Sequence, residues 1–452
     1  MGVSFPIDIA PDCPFGHHNI PFGIFSTASD VGLGNQRRAG VAIGNFVLEL
    51  DVLAKHGFFE GTTLSRPLGD VFLSTDLNAF ATFPAADRRA VRTTIVENLT
   101  NGSSALYKDD ALNTAAFVPL GKIQMHLPMT ITDYTDFFCS LVHAENALRL
   151  LSLPVPQAFY EYPMGYNGRI SSIAVSNTDV VRPRGFFRSP GTDHPIYQPT
   201  QQLDFEVEFG AFLASPVEAG KNVTAREAED LIFGYVLLND WSSRDIQKYE
   251  MHPFGPFHSK SFLTSISAWV VMPEAMSNCP CRAPPSLSSQ ISPTLEVDDA
   301  NHGLHDVQFS VKVSRKSVNL SLSDRTLTIE ISGKGAQDVD IVRSNLADAF
   351  WSHYQMIAYQ SSSGCGMSTG DLLGSGTLSS PPDKIQEDSK VAGNGCLAEI
   401  LACKHILPDV GGRPMQWLED GDGLTIEGWF TAADGTKAGF GGVTGLVVPA
   451  VL

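Results

Sequence analysis

Basic residues are scarce in this sequence. Lys and Arg number 31 in 452 residues, against 49 Asp and Glu, and the formal net charge is −18 at pH 7. Nucleic acids and anionic membrane surfaces are bound through clustered Lys and Arg, so we expect neither as a partner. The sequence also lacks an apolar run long enough to span a membrane, which excludes the ordinary membrane-spanning class.

The seven cysteines show no pattern of disulfide pairing, because their number is odd and they are scattered along the chain. The first residues, MGVSFPIDIAPD, lack both the charged n-region and the apolar h-region of a secretory signal. Together these features predict reduced thiols and a cytoplasmic location. A chain of this length can form two domains with a sizeable core.

Residues 1–120 are expected to form a small β-rich domain. Arg38–Leu50 is predicted to form two short strands about a Gly44-Asn45 turn, and Ala85–Asn98 a helix. Val118–Pro128 is expected to connect this domain to a larger one, residues 121–452. Because residues 1–120 show no grouping of reactive side chains, we interpret them as a structural or dimer-supporting module.

The stretch Asn239–Phe262, NDWSSRDIQKYEMHPFGPFHSKSF, combines acidic, basic, amide and aromatic side chains. If a helix begins at Asp240, then Arg244, Gln247 and Met251 follow on one stripe. Charged and amide groups on a stripe that packs into a core are costly unless each has a partner. Two interpretations stay open: a solvated helix face with an Asp–Arg pair, or the rim of a functional cavity.

Leu203–Phe209, LDFEVEF, alternates apolar and acidic residues with the period of a strand. This period places Asp204, Glu206 and Glu208 on one face, where like charges repel. An edge strand with a solvated acidic face would tolerate them. Alternatively a cation neutralises them, and carboxylate oxygens without nearby His or Cys suit Mg²⁺ or Ca²⁺.

Asp136 and His143 lie seven residues apart in DYTDFFCSLVHAENALRLL, which is predicted to be helical. On one helix they would share a face, about 10 Å apart along the axis. That separation suits a metal ligand and a base that hold opposite ends of one small substrate. The alternative is an exposed Asp cap and a His with an ordinary structural partner.

Farther along the chain, strands and turns predominate. The expected elements are a strand over Val307–Val313, a helix over Ser344–Tyr359 and a short DLL strand within the turn-rich segment Ser361–Ser380. The Pro- and Ser-rich segment Met276–His305 is expected to be a surface loop.

In combination and order, several motifs resemble fumarylacetoacetase. They are IPFGIFST, RAGVAIG, MHLPMTITDYTDF, GYNGR, LDFEVEF, LNDWSSRDIQ, GPFHSKSF, GDLLGSGTLS, LEDGD and the closing VPAVL. The resemblance covers nearly the whole chain. It implies a mixed, mainly β fold with a small SH3-like N-terminal barrel, a larger C-terminal β-roll of the fumarylacetoacetase type, and a homodimer.

The resemblance also implies roles for individual residues. The metal carboxylates would be Asp136, Glu206, Glu208 and Asp240, with Lys260 and Thr264 completing the region around the metal. The catalytic base would be His143, oriented by Glu399, and the oxyanion donors Arg244, Gln247 and Lys260. Substrate contacts would come from Tyr166, Gln247 and Thr377, and from the positions of Phe138 and Met251.

Hydrolysis of a C–C bond in a 1,3-dicarbonyl needs an activated water, a stabilised oxyanion and a carbon that departs as an enolate. The resemblance supplies a residue for each need. We therefore expect metal-dependent hydrolysis of a diketo-acid substrate, with Mg²⁺ or Ca²⁺ as cofactor. Two alternatives remain. One is a non-hydrolytic relative (a decarboxylase, hydratase, isomerase or C–C bond-forming enzyme), and the other is a binding protein with an inactive site.

The substrate-contacting positions depart from the family pattern. Phe138 and Met251 stand where the family has tyrosines, and Asn167 replaces a histidine in YNGR. The segment after His143 is shorter, and Arg149 is out of register with the family's carboxylate-binding arginine. These departures predict a paralogue with a more apolar substrate. They leave tyrosine and phenylalanine catabolism and secondary metabolism as alternative pathways.

Overall fold

The computed structural model describes residues 2–27, 36–150, 152–189, 191, 193–277, 279, 291–298, 302–323, 326–332, 338–384, 390–432 and 434–451. The α-helices of this part are α1 (Leu50–Lys55), α2 (Asn78–Ala81), α3 (Ala85–Leu99), α4 (Ala105–Lys108), α5 (Asp110–Ala116), α6 (Leu141–Leu150), α7 (Arg244–Glu250), α8 (His353–Ser362) and α9 (Leu397–Ala402).

The first strands are β1 (Phe22–Thr27), β2 (Arg38–Ile43), β3 (Phe46–Glu49), β4 (Phe117–Pro119), β5 (Ile123–His126), β6 (Tyr134–Phe137), β7 (Gly165–Asn167), β8 (Ile173–Val175), β9 (Val180–Val181), β10 (Arg184–Phe187), β11 (Ile196–Pro199), β12 (Leu203–Asp204) and β13 (Val207–Leu213). The later strands are β14 (Ile232–Asp240), β15 (Ser242–Ser243), β16 (Thr264–Ile266), β17 (Trp269–Val270), β18 (Gln308–Arg315), β19 (Ser317–Ser323), β20 (Thr326–Ser332), β21 (Val339–Asn345), β22 (Leu372–Gly374), β23 (Asp409–Val410), β24 (Arg413–Pro414), β25 (Asp422–Thr431) and β26 (Lys437–Val448). The fold is mixed and mainly β, as expected.

A six-stranded sheet joins β1 to β5 of the first part of the chain with β17 from farther along, in the order β17-β1-β2-β3-β4, with β5 also paired to β1. The predicted hairpin is confirmed, because Ile43 pairs with Phe46 across the Gly44-Asn45 turn. The predicted helix over Ala85–Asn98 is confirmed as α3. Helices α1 to α5 give residues 1–120 more helix than the β-rich prediction allowed.

A seven-stranded sheet holds the site and has the order β7-β6-β22-β13-β14-β16-β8. Its central strands β13 and β14 are buried on both faces: Phe209 and Leu237 pack into one core, Phe212 and Leu238 into the other. Strands buried on both faces consist of continuous apolar residues. A five-stranded sheet, β21-β18-β25-β26-β9, packs on the first of these cores through residues such as Phe309.

Several predicted element boundaries were wrong. Asp136 lies in β6, between β7 and β22, whereas the helix that carries His143 begins only at Leu141. Asp240 is the last residue of β14 and not a helix start. In each case a ladder of backbone hydrogen bonds to neighbouring strands outweighs the local helical pattern.

The same cause explains two further differences. The helix expected over Ser344–Tyr359 begins at His353, behind a capping box of Ser352 and Gln355, because the chain up to Asn345 pairs with β18. The expected connector Val118–Pro128 contains β5 and part of β4. Half of the predicted loop Met276–His305 lies outside the described residues. Among the described residues, no helix is long and apolar enough to cross a membrane.

Gly376 sets how closely the segment after β22 approaches the end of β6. Its φ is +70°, and a Cβ there would sit well inside contact distance of the Phe137 carbonyl oxygen. We expect Gly376→Ala to lower the free energy of unfolding by at least about 3 kcal/mol, measured by urea denaturation. Gly412 is the matched control, because its φ is also positive but its Cβ position is open. Gly412→Ala should cost only about 1–2 kcal/mol. Equal losses in the two variants would contradict the role of the close approach.

Candidate metal and catalytic site

Four carboxylates meet inside the seven-stranded sheet, in which β22 separates β6 from β13. Asp136 belongs to β6, Glu208 to β13 and Asp240 to β14, and Glu206 precedes β13. One oxygen from each lies within 4.8 Å of the others, and all four residues are buried. The interpretation of a solvated acidic edge was therefore wrong, since β13 lies between β14 and β22.

The carboxylate oxygens of this cluster are suitable ligands for a hard divalent cation. Asp136 Oδ1 and both oxygens of Glu208 are buried with no hydrogen-bond partner among the described residues. Burial, together with the neighbouring carboxylates, raises the pKa of Asp136 and Glu208. Buried carboxylates without partners are costly. An all-oxygen set is what Mg²⁺ and Ca²⁺ prefer, so the carboxylates are the residues that would hold such an ion.

Lys260 neutralises one side of the cluster. Its Nζ donates to Asp240 Oδ2 at 2.6 Å and also to Glu206, while Thr264 Oγ1 donates to Asp240 Oδ1 at 2.9 Å. Burial alone would raise the pKa of Glu206, but Lys260, Arg244 and His143 outweigh it and lower that pKa to about 2. An ammonium group has no lone pair, so Lys260 completes the metal region by its charge and not as a ligand.

Arg244, the first residue of α7, is held on three sides. Its Nε donates to Asp204 Oδ2 at 2.7 Å, its Nη2 lies 2.8 Å from Glu206 Oε1, and its Nη1 donates to Gln247 Oε1 at 3.0 Å. The Asp240–Arg244 pair considered from the sequence does not form. Asp240 pairs with Lys260 instead, because it ends a strand.

His143 lies in the first turns of α6, and Glu399 in the first turn of α9. His143 Nδ1 is 2.6 Å from Glu399 Oε1, and both residues are buried. Glu399 also accepts from Ser379 Oγ at 2.8 Å and Asn146 Nδ2 at 2.9 Å. Burial alone would raise the pKa of Glu399, but His143 and these hydrogen bonds outweigh it and lower that pKa. With Nδ1–H donating to the carboxylate, Nε2 remains the basic nitrogen.

Cys396 Sγ lies 3.5 Å from Glu399 Oε1 and forms a second possible ligand group with His143 and Glu399. Burial and the neighbouring carboxylates raise the pKa of the Cys396 thiol. Because the thiolate is the form that binds metals, this group is a poor metal site. His143 is therefore available as a base.

Of the expected substrate contacts, Phe138 lies against the base and Tyr166 against the carboxylate cluster. The Phe138 ring meets the His143 ring edge-on, with centroids 5.1 Å apart, and it also contacts Phe159. The Tyr166 hydroxyl donates to Asp240 Oδ2 at 3.3 Å. Met251 follows the end of α7, where its backbone N–H donates to the Gln247 carbonyl. Thr377 is buried three residues beyond the end of β22.

Sequence reasoning missed the residues that support the site. Asp204 was grouped with Glu206 and Glu208 but binds Arg244. Ser379 and Asn146 bind Glu399, and only Asn146 had a local signal, since it lies one helical turn after His143. The Asp204–Arg244 and Ser379–Glu399 contacts join residues on different elements, 40 and 20 positions apart, and such contacts leave no trace in local periodicity.

Comparisons with known proteins identify the family of this chain. The family model for the fumarylacetoacetate hydrolase C-terminal region matches residues 133–448, and that for the fumarylacetoacetase N-terminal region matches residues 18–128. Fumarylacetoacetase of Arabidopsis thaliana is 35% identical over 448 residues, covering 98% of each chain. The human fumarylacetoacetase is 35% identical over 458 residues, covering 100% of each. A solved fumarylacetoacetate hydrolase from Exiguobacterium antarcticum has a TM-score of 0.47 at 13% identity, covering 95% of this chain and 99% of its own.

The class of protein is thus a hydrolase acting on carbon–carbon bonds. The chain belongs to the fumarylacetoacetase family over its full length. Both the family resemblance and the enzyme class predicted from the sequence are confirmed.

Glu208→Gln tests the carboxylate cluster as a metal site. We expect the variant to bind Mn²⁺, used as a probe for hard cations, at least about tenfold more weakly by calorimetry. In the presence of a chelator it should unfold at a higher temperature than the wild type at pH 7. The reason is that a carboxyl group whose pKa is raised by folding destabilises the folded state above its unfolded pKa.

The control is Glu218→Gln, because Glu218 is an exposed carboxylate that pairs with Lys221. This variant should change neither the Mn²⁺ affinity nor the unfolding temperature. Unchanged Mn²⁺ affinity in Glu208→Gln would exclude Glu208 from the metal site.

Proposed function

We propose that this chain hydrolyses a C–C bond in a 1,3-dicarbonyl substrate of the diketo-acid class, with Mg²⁺ or Ca²⁺ bound by its four buried carboxylates. One observation carries the proposal: the site combines a His–Glu pair with a 2.6 Å contact and a carboxylate cluster in which Asp136 Oδ1 and both Glu208 oxygens lack partners among the described residues. The relatives named fumarylacetoacetase support the same chemistry.

His143 is proposed to activate water. Its Nε2 takes the proton of a water molecule, while Glu399 holds Nδ1 and stabilises the imidazolium that forms. General-base catalysis of this kind is worth about 10²–10⁴-fold. Because Glu399 is fixed by Ser379 and Asn146, the imidazole keeps one orientation during the reaction. This built base favours hydrolysis over the non-hydrolytic alternatives.

The N–H groups of Arg244, Gln247 and Lys260 are proposed to stabilise the oxyanion that forms when water attacks the carbonyl carbon. Removing one such donor typically costs roughly 3–4 kcal/mol of transition-state stabilisation. These side chains are held in place before the reaction: Arg244 by Asp204 and Glu206, and Lys260 by Asp240 and Glu206. Gln247 accepts from Arg244 Nη1. A divalent cation, when bound, supplies Lewis-acid polarisation of the dicarbonyl oxygens.

The proposed substrate is more apolar than fumarylacetoacetate. Phe138 contacts His143 with a ring that has no hydroxyl group, and the completely buried Phe159 packs against that ring. Arg149 does not replace the family's carboxylate-binding arginine in this proposal, because its Nη2 is bound to Asn146 Oδ1 and Cys403 Sγ. An acylpyruvate with an apolar or aromatic end fits these side chains better than one with a second carboxylate.

We also propose an SH3-like barrel for the first sheet, a β-roll for the remainder, a homodimer and a cytoplasmic location. The gap between the two family models supports a boundary between β5 and β6, a few residues beyond residue 120. Tyrosine and phenylalanine catabolism is the proposed pathway if fumarylacetoacetate is cleaved well, and secondary metabolism if it is not.

Replacing the base tests the mechanism. His143→Ala should abolish dicarbonyl cleavage, which is measured by the appearance of the two product acids. Its Mn²⁺ content should stay at the wild-type level. Glu399→Gln should lose less activity, because it orients the imidazole without taking the proton. His56→Ala, an exposed histidine bonded within α1, is the control and should be fully active. Near wild-type turnover in His143→Ala would contradict water activation by His143.

Restoring the missing hydroxyl groups tests the substrate proposal. The wild type should cleave an apolar acylpyruvate more efficiently than fumarylacetoacetate, and the double variant Phe138→Tyr with Met251→Tyr should shift the ratio of kcat/KM values toward fumarylacetoacetate by about tenfold or more. Phe186→Tyr adds a hydroxyl group at an exposed position and should leave the ratio unchanged. Wild-type cleavage of fumarylacetoacetate at about 10⁶ M⁻¹s⁻¹ or above would contradict the proposal.

A further inference from the structure

We propose that Asp204 is a positioning residue that joins the two halves of the site: it holds Arg244 on the oxyanion side and helix α9 on the side of the base. Its effect on turnover rests on the proposed function, whereas its effect on cation binding does not. Asp204 thus acts through Arg244 and Glu399 and contacts neither cation nor substrate.

Asp204 is completely buried, and both of its oxygens are fully engaged. Oδ1 accepts from the backbone N–H groups of Leu397 at 2.7 Å and Phe205 at 2.8 Å. Oδ2 accepts from Arg244 Nε at 2.7 Å and from the N–H of Ala398 at 3.0 Å. Both oxygens of this buried carboxylate thus have hydrogen-bond donors, one of them cationic. Asp204 therefore needs no metal ion, unlike Glu208.

Backbone pairing explains why Asp204 meets Arg244 and not the cluster. Strand β12 pairs with β15, with Asp204 opposite Ser242, and Arg244 directly follows β15. The Arg244 N–H also donates to the Gln202 carbonyl. The chain then leaves the strand conformation at Phe205 and Glu206 and re-enters it at Val207. This break separates Asp204 from the two glutamates with which it alternates in sequence.

On the oxyanion side, Asp204 is one of the two carboxylates that pair with the Arg244 guanidinium group. With Nε bound to Asp204, Arg244 is shared between Asp204 and Glu206, and Nη1 remains directed at Gln247. Without the charge of Asp204, Glu206 alone would balance Arg244. A stronger Arg244–Glu206 pair competes with a cation for the same carboxylate.

On the side of the base, Asp204 caps α9. Cys396, the N-cap residue, makes no side-chain cap hydrogen bond, and the first two N–H groups of the helix go to Asp204 instead. Such N–H groups need acceptors, because no intrahelical partner is available to them. Glu399 is the next residue, so the cap sets where its carboxylate meets His143 Nδ1.

Mn²⁺ binding, measured by calorimetry on the full chain, tests the oxyanion side without any substrate. Asp204→Asn keeps the shape and removes the charge, and it should weaken Mn²⁺ binding about tenfold. Asp245→Asn is the matched control on α7. Asp245 accepts from Thr200 Oγ1 and the Gln201 N–H, and it should not change Mn²⁺ affinity when replaced.

The Arg244→Met background makes this test specific. In this background, Asp204→Asn should leave Mn²⁺ affinity unchanged, because no guanidinium group remains for Asp204 and Glu206 to share. The comparison of Arg244→Met with the double variant can be made even if Asp204→Asn alone does not fold. The double variant removes the charges of Arg244 and Asp204 together. Wild-type Mn²⁺ affinity in a folded Asp204→Asn, or different affinities of Arg244→Met with and without Asp204→Asn, would overturn the proposal.

Turnover of an acylpyruvate tests both sides together. Asp204→Asn should lower kcat by about 10²-fold with KM nearly unchanged, because small displacements of catalytic groups affect mainly the transition state. An equal rise in KM, or a kcat within twofold of the wild type, would overturn the positioning role. If the wild type cleaves no dicarbonyl at all, the proposed function fails, and Mn²⁺ binding still decides the role of Asp204.

Discussion

Four carboxylates share one buried space in this protein, and their mutual repulsion is the constraint on which the site depends. Lys260 and Arg244 balance part of that charge, but Asp136 Oδ1 and both oxygens of Glu208 remain without partners among the described residues. Folding such a cluster is costly unless a cation completes it. The seven-stranded sheet tolerates this cost because cores on both of its faces hold β13 and β14 in place.

The same constraint organises the chemistry. Lys260 and Arg244, whose positive charges neutralise Glu206 and Asp240, are also proposed oxyanion donors. Charge balance and transition-state stabilisation therefore use the same side chains. The base is kept apart from the cluster, on α6 and α9, with its own carboxylate partner. Asp204 links the two regions. A site arranged in this way is held in position before substrate binds, which is the condition for effective electrostatic catalysis.

Much of the carboxylate cluster could be predicted from the sequence, because acidic residues within an apolar strand pointed to Glu206 and Glu208, and the family motifs added Asp136 and Asp240. The mainly β class and the Arg38–Leu50 hairpin followed from local patterns. Helix and strand were confused at Asp136 and Asp240, where pairing with distant strands decides the conformation. The His143–Glu399 pair followed from the family motifs, but the contacts of Asp204 with Arg244 and of Ser379 with Glu399 could not be predicted, since only the tertiary fold brings these residues together.

The most direct measurement of the central claim is the unfolding free energy of the chelator-treated chain as a function of Mg²⁺ or Ca²⁺ concentration. If the carboxylate cluster holds one cation in the folded state, stability should rise by about 1.4 kcal/mol for each tenfold increase in cation concentration above the dissociation constant. An unfolding free energy that does not change with either cation would contradict the claim.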